Sequence, residues 1–363
     1  IGDLSRRARE SEVLVKRKMR LAIVCDLDGT LLPRPYGVPP ITPPLSAGPA
    51  YHPLLRCLEL GAIVIGVTGS GLHTHQKRFF CDLPLAIRTS GRVLLATETG
   101  RHLYRPSLDG LPTVDDAFAQ YVEARVKPLG PVEVDQLVAV GRAGLVRFYS
   151  DLQADTAFAL LPEAHPMSFL RALTPPAAAA DIPISCDAAK CPRIEVRPAN
   201  SAVVFVGVPS SLGARYFSIP EALAGAVDGK PTGRSCFDCV PRGLSKRLVV
   251  EFLHGTGEIV GGRVVALGDQ PLGNDEGLTH WHESGLPFIA VSERTDMVPA
   301  HLGDCAIHRL SNVAASGEAL GLLADWLGNE GSAAASTASP QLTLEVVRGM
   351  VAAINKGTRV CCD

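Results

Sequence analysis

The sequence predicts an α/β protein: a Rossmann-like, doubly wound parallel sheet core with an inserted α+β cap domain. Three observations lead there. Residues 21–25 form an apolar run without alternation, the pattern of a strand buried on both faces, and it stops abruptly at Asp26 and Asp28. The runs at 61–67 and 263–268 repeat the pattern and end at Thr68 and Asp269. Between them lies a long interval, reaching about residue 240, that is richer in Pro, Ala and short β-like stretches. Open α/β sheets place their ligand crevices outside the carboxyl ends of the strands, so these polar strand ends are the candidate site.

Composition excludes several classes. With 363 residues the chain is long enough for about two domains. An apolar fraction of 46%, 20% charged residues and a net charge of −2 give no argument for a nucleic-acid partner. No apolar stretch approaches the roughly 18 residues that a membrane span needs. Ten cysteines without a regular framework favour a reducing, cytoplasmic setting. The chain begins with Ile and reads as a processed or trimmed product. Residues 1–20 form a basic leader (Arg6, Arg7, Arg9, Lys16, Arg17, Lys18, Arg20), expected as a solvated helix, with an organellar targeting remnant as the alternative. Oligomeric state is not set by the sequence.

The elements follow in order. After the first strand, the proline-rich stretch 33–49 is a loop. A helix is expected over 51–60, then the second strand, then a glycine-rich turn, Thr68-Gly69-Ser70-Gly71. A hydroxyl and free amides at such a turn suit a phosphate oxygen. Short strands are expected at 85–91, 92–96 and 100–104, and a helix over 114–126. Leu145–Tyr149 and Ala202–Val206 read as β-like runs of the inserted unit. Residues 237–241 lead back to the core, and a helix opens at Ser245-Lys246. Strands over 286–291 and 305–310 and a helix near 316–327 complete the core. Residues 328–339 are a low-complexity linker, followed by a C-terminal helix to about Lys356. The expected domains are 21–85 with 241–327 as core, 86–240 as the inserted unit, and 328–363 as linker and tail.

Asp26-Leu27-Asp28-Gly29-Thr30 carries the chemistry. Two carboxylates two residues apart repel unless a cation or proton donor is near, and Gly29 lets the chain turn and approach a ligand. The pattern resembles motif I of the haloacid dehalogenase superfamily. That resemblance implies that Asp26 is a nucleophile accepting a phosphoryl group, and that Asp28 protonates the leaving oxygen and later activates water. It implies Thr68 as motif II and Lys246 as motif III, both on the phosphate, with Gly69 lending an amide. The run Gly268-Asp269-Gln270-Pro271-Leu272-Gly273-Asn274-Asp275 resembles motif IV with two extra residues between its acids. The implied cofactor is Mg²⁺, held by Asp26, the backbone carbonyl of Asp28, and Asp269, with Asn274 and Asp275 acting through water or on the phosphate. Which motif IV acid reaches the metal directly stays open. About 180 residues separate Thr68 from Lys246, which resembles the second cap type. That type occurs in the Cof kind, in sucrose and mannosyl-3-phosphoglycerate phosphatases, and in phosphomannomutases.

Other constellations compete. Cys186, Cys191, Cys236 and Cys239 offer four thiolates for zinc, but positions 236 and 239 fall on an expected strand, where residues three apart face opposite ways. The pairs His73/His75 and His280/His282 lie just beyond motifs II and IV and read as solvated or hydrogen-bonded histidines. Arg193 and Arg197 alternate with Ile194 and Val196, so both project from one strand face, where they either grip an anionic substrate or line a solvated sheet.

The combined expectation is a Mg²⁺-dependent phosphomonoesterase acting on a small phosphorylated metabolite, foremost a sugar phosphate. A phosphomannomutase-like mutase is the first alternative, and a catalytically idle binding subunit the second. Asp26→Asn is expected to abolish phosphate release while leaving the circular dichroism spectrum unchanged; retained turnover would remove Asp26 from the reaction.

Overall fold

The computed structural model describes residues 20–34, 42–154, 178–187, 190–197, 201–233, 235–260, 262–280, 286–292, 298–309, 311–332 and 341–357, together with 176 and 282. The basic leader up to residue 19, most of the proline-rich loop (35–41), part of the linker (333–340) and the last six positions lie outside the described residues.

Among the described residues, twelve strands form two sheets. In chain order they are β1 (Ala22–Asp26), β2 (Ile63–Val67), β3 (Val93–Thr97), β4 (His102–Pro106), β5 (Pro112–Val114), β6 (Arg193–Val196), β7 (Val203–Val206), β8 (Val227–Thr232), β9 (Cys236–Pro241), β10 (Val264–Gly268), β11 (Phe288–Val291) and β12 (Ala306–Ile307). The larger sheet has the order β12-β11-β10-β1-β2-β3-β4-β5. Its first six strands are parallel, and β4 and β5 close the other edge as an antiparallel hairpin. This is the doubly wound sheet the apolar runs predict. All five residues of β1 and of β10 are buried, as a strand covered on both faces requires.

The register sets the site. β1 pairs with β2 through Asp26↔Val67 and with β10 through Cys25↔Leu267. Asp26, Thr68 and Asp269 therefore leave three adjacent strands at nearly the same level. The chain moves outward from β1 through β2 to β3 on one side, and reaches β10 on the other only later. The crevice at this switch between β1 and β10 is where such sheets bind ligands.

Helices Tyr51–Glu59 and Asn312–Ser332 cover one core face together. Gly317 makes the close packing possible, since a Cβ there would stand 2.9 Å from the Pro49 carbonyl oxygen. The helix Asn312–Ser332 runs further than expected and takes in the first residues of the supposed linker. The C-terminal helix Leu344–Asn355 is capped by Thr343, whose hydroxyl accepts the Val346 N–H at 3.3 Å. It is part of the fold: Leu342, Val347, Val351 and Ile354 join the main core, and Asn355 donates to the Ala306 carbonyl at 2.9 Å.

The expected boundaries change in two places. The chain divides into one unit that continues through Ala119 and resumes at Ser245, and a second comprising Gln120–Leu244 with Arg34–Thr42. Residues 86–119, assigned by sequence to the insertion, instead supply β3, β4 and β5 to the main sheet. The short apolar runs there look alike whether they extend a large sheet or found a small one, and only the pairing separates the two. Leu85–Arg88 is a helical turn, not a strand.

The second unit holds an antiparallel sheet, β6-β7-β9-β8, and the helix Pro131–Ala154. Leu145–Tyr149, read as β-like, lies inside that helix. Its local composition suits a strand, but Leu137, Gly141, Leu145, Phe148 and Tyr149 are buried at helical spacing. Gly141 and Gly144 let this helix approach the aromatic rings of Phe205 and Phe217, each only 2.5 Å from where a Cβ would stand.

Candidate active site

Asp26 ends β1, Asp269 follows β10, and Asp275 returns to them through a folded loop. That loop is closed by Asp275 N–H donating to the Gln270 carbonyl at 3.1 Å and by Gln270 N–H donating to Asp275 Oδ2 at 2.9 Å. Gly268 permits the approach, because a Cβ there would stand 2.6 Å from Asp275 Oδ2. The two extra residues of the motif therefore do not separate the acids in space. Asp26, Asp269 and Asp275 are all buried, and each offers a carboxylate oxygen within 4.8 Å of the others.

Lys246, fully buried just ahead of the helix Arg247–Gly255, reaches into this trio. Its Nζ donates to Asp26 Oδ1 and, at 2.6 Å, to Asp275 Oδ1. Thr30 Oγ1 donates to Asp26 Oδ2 at 3.2 Å, and Asn312 Nδ2 to Asp269 Oδ2 at 3.3 Å. Gly29, at φ 92°, turns the chain tightly enough for Thr30 to reach back.

The charges do not balance. Two ionised carboxylates at that separation repel by about 3 to 4 kcal/mol at an effective dielectric constant near 20. Among the described residues, Lys246 is the ammonium placed against these carboxylates, and it offsets one negative charge. Burial, with the charges of Asp275 and Asp269, pushes the Asp26 carboxyl well above its usual range despite the pull of Lys246. Burial alone would lower the Lys246 ammonium, but Asp26 and Asp275 outweigh it and raise it above its usual value. An oxygen-only, acid-rich cluster short of positive charge fits a hard divalent cation. Asn274 adds a second sign of fit: its Oδ1 is buried and has no hydrogen-bond partner among the described residues.

Asp28 is placed differently. Its Oδ1 accepts from Arg78 Nη1 at 2.8 Å, and its Oδ2 lies 3.0 Å from His75 Nε2. Burial would raise this carboxyl, yet His75 and Arg78 prevail and hold it well below the usual range. The side chain of Asp28 is thus not one of the clustered acids, and its expected share in metal binding rests on the backbone carbonyl alone. Thr68 is buried, accepts the Ser70 N–H at 3.0 Å and lies 3.1 Å from the same His75 nitrogen. Gly69 occupies the bend directly after it.

The sequence marks His75 only as one of a solvated or hydrogen-bonded pair and does not single out Arg78. A histidine seven residues past Thr68 carries no motif, and its full burial is visible only in the fold. The acidic partner it needed was Asp28, already identified.

Arg193 and Arg197 belong to the second unit. Arg193 is engaged by Glu195, two residues along the same strand face, and by the Lys190 carbonyl. Arg197 retains a buried Nη1 with no partner among the described residues. Cys236 and Cys239 lie on β9, and the only cluster of potential metal ligands among the described residues is the aspartate trio. His282 is buried and accepts the Phe288 N–H at Nδ1.

No protein-family model and no curated protein sequence matches the chain. Solved structures similar to it include the ATP-bound IMP-nucleotidase of Plasmodium falciparum, at 10% identity and a TM-score of 0.45, over 91% of this chain and 65% of that one. The chain thus spans less than two thirds of that protein's length. Others are the sucrose-phosphatase of Synechocystis sp. PCC6803 with sucrose and phosphate (15% identity, TM-score 0.41, 82% of this chain and 96% of that one) and the SMU.1108c protein of Streptococcus mutans UA159 (13%, 0.42, 87% and 100%). Likenesses this distant do not bear on activity. No helix among the described residues is long and apolar enough to cross a membrane.

Replacing Lys246 by Met leaves Asp26 and Asp275 facing each other without a cation. The expected loss is about 3 to 5 kcal/mol near neutral pH, read from urea unfolding midpoints. A carboxyl raised above its unfolded value stabilises most when protonated, so the gap from wild type should narrow as pH falls and widen as it rises.

Proposed function

We propose that the chain is a phosphomonoesterase of the haloacid dehalogenase kind, using Mg²⁺ and acting on a small phosphorylated metabolite. The observation that carries this is Lys246 set between Asp26 and Asp275, beside Asp269, at the carboxyl ends of β1 and β10. Such a cluster suits phosphoryl transfer, where catalysis is mainly positioning and neutralisation of spread negative charge.

Asp26 is the nucleophile. Its carboxylate forms a bond to phosphorus as the ester oxygen departs, splitting one hard transfer into two easier ones. Lys246 holds the attacking carboxylate in place and offsets the charge of the phosphoryl oxygens. The Thr68 hydroxyl and the Gly69 amide bind those oxygens. Asp28 exchanges protons with the leaving group and with water. Asp26, Asp269, Asp275 and the Asp28 carbonyl would hold Mg²⁺, which supplies the positive charge that keeps Asp26 ionised.

A sugar phosphate is the favoured substrate class, on the resemblance of the inserted unit to the second cap type. Mutase activity is the second reading, favoured by the lengthened stretch between Asp269 and Asp275. Incubation with a panel of sugar phosphates, mannose 1-phosphate included, separates the two. Release of inorganic phosphate that stops when Mg²⁺ is chelated supports the phosphatase. Conversion to an isomeric sugar phosphate without phosphate release identifies the mutase, and inertness toward the whole panel would refute both.

A further inference from the structure

His75 and Arg78 sit three residues apart on a short helix, Leu72–His75, that widens into a π-turn over Gln76–Phe80. Residues at that spacing share a face, and π-turns are frequent at functional sites. Both side chains are buried, and both are directed at Asp28. Arg78 does more than pair with it. Its Nη2 donates to the Pro33 carbonyl at 2.9 Å and its Nε to the Pro43 carbonyl at 3.1 Å. One guanidinium thereby ties both stems of the proline-rich loop to one oxygen of Asp28.

The proton on His75 can be placed. An ionised Asp28 only accepts, so the hydrogen sits on Nε2 and points to Oδ2. The opposite nitrogen, Nδ1, is buried without a partner among the described residues. Burying an imidazole with one nitrogen unsatisfied costs stability, and its polar partners among the described residues are Asp28 and Thr68. Thr68 Oγ1 accepts from Ser70 N–H and shares the Nε2 hydrogen, which leaves the hydroxyl's own proton to donate elsewhere.

We infer that His75 and Arg78 are positioning residues that fix the Asp28 carboxylate as the base of the second half-reaction. This rests on the phosphatase reading. A donor on each oxygen keeps Asp28 ionised and fixes its orientation; this costs basicity, so what the bracket contributes is the placement of the carboxylate against the attacking water. Water attacks the phosphorus of the aspartyl-phosphate, and a new phosphorus–oxygen bond forms. The bond from phosphorus to the Asp26 oxygen breaks, and its electron pair returns to that carboxylate. The water's proton passes to Asp28. Forming the intermediate from a substrate with a good leaving group needs no proton from Asp28, so only breakdown should depend on the bracket.

The test is pre-steady-state turnover of p-nitrophenyl phosphate with Mg²⁺, a substrate of that type. His75→Leu and Arg78→Gln should release a burst of nitrophenol close to one per site, then turn over at least about tenfold more slowly than wild type, a part of the 10²–10⁴ that acid–base catalysis typically contributes. Acid-quenched samples should contain phosphorylated protein. His75→Gln keeps an N–H near the Nε2 position and should recover to within about fivefold of wild type, the donor being what matters. A structural role predicts otherwise: burst and steady state fall together, no phosphoprotein accumulates, and Gln fails to rescue. That outcome overturns the inference alone. A wild-type chain inert toward p-nitrophenyl phosphate and sugar phosphates overturns the phosphatase reading and the inference with it.

Discussion

One ammonium group among three buried carboxylates sets the terms for the rest of the core. Lys246 binds Asp26 and Asp275 directly, and Asp269 lies within reach of both. Removing any of these charges from water costs several kcal/mol, and partners repay that only when they are close and well satisfied. Among the described residues the three clustered acids outnumber the one lysine that binds them. Such a cluster is poor as a purely stabilising device and well suited to holding a cation beside a phosphoryl group.

The sheet brings this cluster together at low local cost. Parallel pairing of β10, β1 and β2 places three strand ends side by side, each contributing one polar residue. The third acid of the cluster, Asp275, arrives through a loop whose backbone bonds are closed internally, with Gly268 leaving room behind it. Asp28 belongs to a different electrostatic neighbourhood. Its carboxylate faces Arg78 and His75, so two aspartates two residues apart are driven in opposite directions, Asp26 upward by burial and like charge, Asp28 downward by its cationic and donor neighbours. Environments that separate a pair of acids in this way are how one fold supports distinct proton roles.

Much of this was legible in the sequence, for a physical reason. A strand buried on both faces cannot hide its composition, and the residue ending it must be polar for a purpose, so β1, β2 and β10 and their terminal residues stood out. Side chains that act through the tertiary fold did not. His75 and Arg78 approach Asp28 across sequence distances of roughly fifty residues, with no local pattern to announce them. Leu145–Tyr149 misled because five residues are too few to distinguish a buried strand from a buried helix face. The reach of the main sheet to Val114 depends on strand pairing, which apolar runs alone do not encode. The C-terminal helix, without an assigned role from sequence, proved to carry Val347, Val351 and Ile354 into the core.

Calorimetric titration of Mg²⁺ into the metal-free protein reads the charge deficit of the aspartate cluster directly. One saturable site per chain is expected, because the cation supplies positive charge to the three clustered carboxylates. Asp269→Asn should weaken that site by at least about tenfold, as even the loss of an outer-shell partner commonly does. Absence of saturable binding, or an affinity unchanged in the variant, would contradict that expectation.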